Sequence, residues 1–331
     1  MTRHSLAFLA LGGIVLIAVV WTADLGATWL HVRQMGWAFL IVLGLYGLEF
    51  LFNTISWRFA FSSPPGGGRP VYRLWRIQMV GEAFNAVLAH VGGELVKAAL
   101  LRKLHNVSYA ESAAAMVLSR TVLVISLLPF LLVGLTLLLN VSGIGESYRA
   151  AAYTGLALLA VALLLLVAAQ RLRFASRIIR LLSGTRVERL AQAIAGFEDQ
   201  LFAYYRNHRG KLIAAFCFAS ANWLTGVVTL YYTFHFLGQP VSLTEAWIIE
   251  AFIQLARIAS FFIPAHLGAQ EGALVAITGA LTGNPAAGLA ASVVRRAREL
   301  VWVLWGVAIG WNDRKILKKL RAGDAAPIQQ A

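Results

Sequence analysis

The sequence predicts an all-α polytopic membrane protein with about six full spans and two re-entrant helical hairpins in an inverted repeat. Three observations carry this. Of the 331 residues, 59% are hydrophobic, against about 45–50% in a soluble domain, and the mean hydropathy is +0.70. Apolar runs of about 17–28 residues recur, matching the ~20 needed to cross a bilayer. Two further runs are interrupted by polar stretches that echo each other: Ala89-His90-Val91-Gly92-Gly93-Glu94 and Ala265-His266-Leu267-Gly268-Ala269-Gln270-Glu271. The ~10-residue alternating segments of a membrane β-barrel are absent from the sequence.

Span 1 is expected at about 6–22. Its basic start, Met1-Thr2-Arg3-His4, also fits a signal peptide. The apolar run is long for that purpose, and Thr22-Ala23-Asp24 is a poor cleavage site. Span 2, about 36–60, carries Glu49 and Asn53 four residues apart, hence on one helix face. Ser62-Ser63-Pro64-Pro65-Gly66-Gly67-Gly68 is a loop.

Residues 77–101 are apolar but hold Glu82, Asn85, His90, Glu94 and Lys97. That is too polar for a lipid-facing span. Gly92 and Gly93 predict a helix break, and broken helices at membrane depth persist only where protein or a water-filled cavity covers them. Span 3, about 112–139, contains Ser119-Arg120 and a kink at Pro129. Span 4 is about 150–169. Residues 171–210 interleave arginines with Ile178, Ile179, Leu182, Leu190 and Phe197, which reads as amphipathic helix on the cytoplasmic membrane surface. A solvated linker is the plainer reading, and the apolar face disfavours it.

Span 5 is about 212–237. Residues 243–281 form the second broken segment, with Glu250, Gln254, Arg257, Pro264, His266, Gly268, Gln270 and Glu271. Gly283-Asn284-Pro285 is a turn, and span 6, about 286–311, holds Arg295, Arg296, Arg298 and Glu299. Residues 312–331 are a basic tail. The organisation expected is one membrane domain: a first repeat at 36–139, a linking segment at 140–210 and a second repeat at 211–311.

Net charge is +14. In a soluble chain this would suggest nucleic acid. Here the basic residues cluster between spans, so topology and anionic lipid account for them and no nucleic-acid partner is expected. Basic clusters at 69–76, 102–103, 171–211 and 314–321 mark the cytoplasmic side. Both termini then lie inside, and the two hairpins enter from opposite faces. Glu82-Ala83-Phe84 is matched by Glu250-Ala251-Phe252, and His90 to Arg120 and His266 to Arg296 are both 30 residues. Short echoes also arise by chance in Ala-rich sequence; the shared spacing decides for a repeat. Inverted repeats with discontinuous helices meeting near the midplane mark transporters.

The candidate substrate-binding set is Glu82, His90, Glu94, Arg120, Glu250, Arg257, His266, Glu271, Arg295 and Arg296, expected to form one composite site. Gly92, Gly93, Pro264 and Gly268 are the expected helix breaks and hinges. Intramembrane ionisable groups are costly and functional by default. Arginine offers a planar fork to phosphate, the carboxylates balance it or carry protons, and the histidines titrate near neutral pH. Plainer readings stand beside these. Glu94 and Lys97 read as a structural i, i+3 pair, Arg298-Glu299 as a helix staple, and a lone histidine as a packing residue. There is no Gly-x-Ser-x-Gly, P-loop or His-Glu-x-x-His motif, so no enzyme activity is expected. Cys217 is the single cysteine, and no spacing supports a metal or cofactor.

The segments His90-Val91-Gly92-Gly93-Glu94-Leu95-Val96-Lys97, Ser119-Arg120 and Pro264-Ala265-His266-Leu267-Gly268-Ala269-Gln270-Glu271-Gly272-Ala273 resemble the flippase-like transmembrane family named after the membrane half of lysylphosphatidylglycerol synthase. Within it, Ser292-Val293-Val294-Arg295-Arg296-Ala297-Arg298-Glu299-Leu300 looks most like a branch associated with hopanoid biosynthesis. His90 stands where the family usually has arginine, and His266 where it usually has glycine. The resemblance implies movement of a polar-headed lipid, hopanoid or phospholipid, between leaflets of the bacterial inner membrane. Its partners would be membrane lipids and lipid-biosynthesis enzymes. A membrane enzyme or accessory subunit of lipid synthesis, and a scaffold for such enzymes, are the alternatives.

Overall fold

The computed structural model describes residues 25–63, 65, 69–87, 92–143, 145–171, 203–260, 263 and 266–312. Among them the ordered elements are helices throughout. The expected span at 6–22, residues 172–202 of the amphipathic segment, the basic tail, His90 and Pro264 lie outside the described residues.

The chain is a multi-pass helical membrane protein. Helix α1 (Leu25–Met35) runs through a 3-10 turn (Gly36–Ala38) into α2 (Phe39–Arg58). Then come α3 (Pro70–Val87), α4 (Gly92–His105), α5 (Tyr109–Leu139), α6 (Glu146–Arg171), α7 (Arg209–Phe236), α8 (Leu243–Ala259), α9 (Ala269–Thr282) and α10 (Pro285–Asn312). Four stretches among the described residues are long and apolar enough to cross a membrane: Trp29–Arg58, Tyr109–Leu139, Glu146–Leu165 and Arg209–Phe236. They correspond to the expected spans 2 to 5. The expected sixth span is the 28-residue α10. Arg295, Arg296, Arg298 and Glu299 in its middle set it apart from the apolar four.

Residues 77–101 and 243–281 each include parts of two described helices. The first divides into α3 and α4, of 18 and 14 residues. Gly92 and Gly93 are the first residues of α4. The second divides into α8 and α9, of 17 and 14 residues. No arm reaches the ~20 residues of a full span.

Local chemistry fixes these ends. The Gly93 N–H, otherwise orphaned at the start of α4, donates to Asn85 Oδ1 at 2.9 Å. A Cβ on Gly93 would sit 2.1 Å from the Gly81 carbonyl oxygen, so the two arms approach as only glycine allows. Ser242 and Glu245 form a capping box that starts α8: the Ser242 N–H donates to Glu245 Oε2 at 2.7 Å, and Glu245 N–H to Ser242 Oγ at 3.1 Å. Before α9, His266 (φ +52°) and Gly268 (φ +79°) both take positive φ, which is uncommon for histidine. The turn at Gly283-Asn284-Pro285 is confirmed. Gly283 closes α9 at φ +72°, and Asn284 Oδ1 accepts the Ala287 N–H at 3.2 Å to start α10.

The residues sort into two compact units that interleave along the chain. One takes the described parts of 1–53, 121–172 and 216–299; the other takes those of 54–120, 173–215 and 300–331. Each has its own core. Leu127, Phe130, Phe234, Ile248, Ile249, Leu274 and Ile277 lie in the first, which contains the α8–α9 hairpin. Trp57, Phe61, Leu74, Ile77, Leu100, Leu101 and Leu118 lie in the second, which contains the α3–α4 hairpin.

Candidate functional site

Charged side chains that sequence scatters through apolar helices are gathered into one cluster in each unit. In the α3–α4 unit, Lys97 crosses from α4 to donate to Glu82 Oε1 on α3 at 2.7 Å, and to Glu94 at 3.3 Å. Arg120, on α5, donates to Glu94 Oε1 at 2.7 Å and to Glu82 Oε1 at 3.4 Å. Two carboxylates thus meet two cations. Lys97 is 3% exposed, while Arg120 is 50% exposed and forms the open edge. Gly81 makes the crossing possible, because a Cβ there would meet the Lys97 side chain at 2.3 Å. The Lys97 ammonium also lies 5.9 Å from the centre of the Trp57 ring, within cation–π range.

In the α8–α9 unit, Arg295 of α10 grips Glu250 of α8 with both terminal nitrogens, at 2.9 and 3.4 Å. Gln254, one turn on, donates to the same carboxylate at 2.6 Å. Both members of this pair are buried. Arg296 Nε donates to Glu271, the first-turn acid of α9, and Arg296 Nη1 to Glu299 at 2.9 Å. Glu271 also caps α9, because its other oxygen accepts the Gly268 N–H at 2.8 Å. Thr229 donates to Glu49 at 2.9 Å. Arg298 reaches Glu49 at 3.7 Å and lies over the Tyr46 ring at 4.2 Å. The cluster holds four guanidiniums (Arg257, Arg295, Arg296, Arg298) and four carboxylates (Glu49, Glu250, Glu271, Glu299). Arg257 makes no ion pair within 4.0 Å to a described residue.

Both clusters are balanced in formal charge. An uncompensated ion in a low-dielectric interior costs several kcal/mol, so near-neutral assemblies are the form in which such groups persist. Arg120 is half exposed in one cluster, and the Arg296–Glu299 pair is partly exposed in the other.

The positions expected from sequence fall as follows. Glu82, Glu94 and Arg120 converge in one unit, and Glu250, Glu271, Arg295 and Arg296 converge in the other, with Arg257 nearby. His266 stands in the α8–α9 break, its Nδ1 3.1 Å from the Ser260 carbonyl oxygen and 3.2 Å from Ser260 Oγ. The 30-residue spacing pointed from histidine to arginine. The contacts join each arginine to the carboxylate a turn or so beyond: Glu94 for Arg120, and Glu271 for Arg296.

Sequence reasoning left out Lys97, Glu49, Thr229, Gln254, Arg298 and Glu299 as members of the clusters. A lone carboxylate inside an apolar run was the available signal for Glu49. The i, i+3 reading of Lys97 noticed its weaker contact, since the shorter one goes to Glu82, 15 residues earlier. Arg298 and Glu299 find partners in Glu49 and Arg296.

The fold and these clusters define a multi-pass helical membrane protein that carries balanced groups of fixed charge within its apolar helices. The chain belongs to the family described as the lysylphosphatidylglycerol synthase TM region, whose model matches residues 6–306. That membership gives it a membrane-lipid-related role. No curated protein and no solved structure matches the chain.

Proposed function

We propose that the chain moves a polar-headed lipid between the leaflets of a bacterial inner membrane, with a phospholipid or a hopanoid as cargo. The observation that carries this reading is the presence of two balanced ion clusters, each with a partly exposed edge, one on the α3–α4 hairpin and one on the α8–α9 hairpin. A headgroup carried through hydrocarbon needs its charges met at every stage. Balanced clusters meet them by exchanging partners. A headgroup phosphate takes over the Arg120 or Arg296 fork, and a headgroup ammonium takes the carboxylate released. One protein ion pair gives way to two pairs with the headgroup, so the exchange avoids the cost of an unpaired charge.

The lipid tails stay in the bilayer, so no large closed cavity is required. The matching of Glu82, Glu94 and Arg120 with Glu250, Glu271 and Arg296 supports descent of the two hairpins from one inverted repeat, as in other transporters. Both termini then lie in the cytoplasm, and lipid-synthesis enzymes are the protein partners the role implies.

The experiment reconstitutes purified protein in vesicles holding a fluorescent phospholipid and follows both its leaflet and its mass. Movement of chemically unchanged lipid supports the proposal. A covalently altered lipid makes the protein an enzyme of lipid synthesis and overturns it.

A further inference from the structure

We propose that Glu49 is a proton-binding site, and that one proton on it accompanies each anionic phospholipid headgroup that enters the cluster of the α8–α9 unit; this rests on the lipid-movement reading and deepens it. Three of the four carboxylates in that cluster are clamped. Glu250 accepts from the Arg295 fork and from Gln254, Glu271 from Arg296 and the Gly268 N–H, and Glu299 from Arg296 at 2.9 Å. Glu49, on α2, is held differently. Among the described residues its closest cation is Arg298, at 3.7 Å, which is beyond hydrogen-bond range. Its contact at hydrogen-bond distance is the Thr229 hydroxyl of α7, at 2.9 Å.

That hydroxyl has two acceptors in reach. Thr229 Oγ also lies 2.7 Å from the Thr225 carbonyl oxygen, one turn back on α7. A hydroxyl has one hydrogen, so it cannot serve both in full. An ionised Glu49 takes that hydrogen at the expense of Thr225. A protonated Glu49 donates its own hydrogen to Thr229 Oγ, and Thr229 keeps the backbone bond that threonines make inside helices. Both contacts are filled only in the protonated state, and α2 and α7 need not repack between the two states. Arg298 is placed for either one. Its guanidinium lies 4.2 Å from the centre of the Tyr46 ring, a contact that holds a cation without using an acid. A shift of about 1 Å brings it to hydrogen-bond distance from an ionised Glu49.

The charges that act on Glu49 are Arg298 and Arg295 of α10 and Glu250 of α8. Tyr46, nearly one turn earlier on α2, is the titratable neighbour on its own helix, and Arg257 and Glu299 act on it in turn. The charge count selects the cargo. With Glu49 ionised, four guanidiniums face four carboxylates. With Glu49 protonated they face three, and the cluster is one charge positive. A headgroup of net charge −1 restores the balance, whereas a zwitterion leaves the excess in place. Near-neutral assemblies are the ones that persist in such surroundings. The proton and the phosphodiester therefore each favour binding of the other, by the same factor. On release of the lipid Glu49 ionises and Arg298 closes on it. One proton moving with one anionic headgroup carries no net charge, so a pH gradient alone can drive the movement.

The test reconstitutes the full chain in phosphatidylcholine vesicles that hold a trace of fluorescent phosphatidylglycerol and an internal pH dye. With the voltage clamped, the leaflet of the label and the internal pH are followed with and without an imposed gradient of about one pH unit. Wild type is compared with Glu49→Gln and with the control Glu146→Gln, an exposed acid outside both clusters. Glu49→Gln/Arg298→Met, which strands no cation, replaces the single variant if that does not fold. Wild type and control should concentrate the label in one leaflet by up to roughly tenfold, the limit for one proton per lipid, with a matching proton flux. Glu49→Gln should bring the label only to equality between the leaflets, with no proton flux. Fluorescent phosphatidylcholine should not accumulate. A wild type that moves lipid without responding to the gradient, accumulation retained by Glu49→Gln, a folded Glu49→Gln that moves no lipid, an equal loss in Glu146→Gln or equal accumulation of phosphatidylcholine would each overturn the proton site and leave lipid movement standing. A wild type that moves no lipid would overturn both.

Discussion

The Arg120 guanidinium donates to the Glu94 carboxylate at 2.7 Å, joining α5 to the first turn of α4 from 26 residues away. Lys97 meets the same two acids from the buried side. The two cations therefore differ in what their loss should do. Arg120→Ala removes a half-exposed partner and should cost about 1 kcal/mol of stability or less. Lys97→Ala removes a buried one and should cost about 3–5 kcal/mol. Denaturant titration in micelles checks the order. Equal losses would mean that Arg120 is as shielded from solvent as Lys97.

Glu250 and Arg295 form a buried fork, so breaking it from one side leaves an unpaired charge. Glu250→Gln and Arg295→Met should each destabilise by about 3–5 kcal/mol. The double variant should recover part of that loss, because no charge is stranded. A double-mutant cycle measures the coupling, and simple addition of the two effects would refute it.

Gly93 and Gly44 offer a steric comparison. A methyl group at Gly93 would collide with the Gly81 carbonyl and with Asn85 Oδ1, whereas nothing lies within 4 Å of one at Gly44. Gly93→Ala should therefore push the hairpin arms apart, lower the thermal midpoint and slow lipid movement. Gly44→Ala should leave the midpoint unchanged or raise it slightly through helix propensity. Thermal unfolding of the two variants side by side decides.

The charge-based threading makes a prediction of sidedness. In a Cys217→Ser background, Ser142→Cys and Thr244→Cys should react with a membrane-impermeant thiol reagent from outside the cell. Lys103→Cys should react only after the membrane is opened. All three positions are exposed. Labelling of Lys103→Cys in intact cells would invert the topology and remove the basis for opposed hairpins.

Much of this was legible in the sequence because it depends on local rules. Apolar length marked the spans at 36–60, 112–139, 150–169 and 212–237. The first acid–arginine contacts were half visible, since Glu94, Arg120, Glu271 and Arg296 were all selected as ionisable groups in apolar runs. Their partnerships were not. Lys97 with Glu82, and Glu49 with Arg298, depend on how helices distant in sequence pack, and no spacing rule encodes that. The close approach at Gly81 was hidden for the same reason, because a glycine inside a helix looks alike whether or not another helix leans on it.

The central claim is that the two charged clusters handle a lipid headgroup in transit. Leaflet redistribution of a fluorescent phospholipid in vesicles tests it most directly, with wild-type protein beside Arg120→Ala and Arg296→Ala, each first shown to be folded. The wild type should move lipid, and each variant should be slower by at least about tenfold, as expected when a charge-assisted hydrogen bond worth about 1.5–3 kcal/mol is lost. A wild type that moves no lipid, or two variants that match it, would contradict the account.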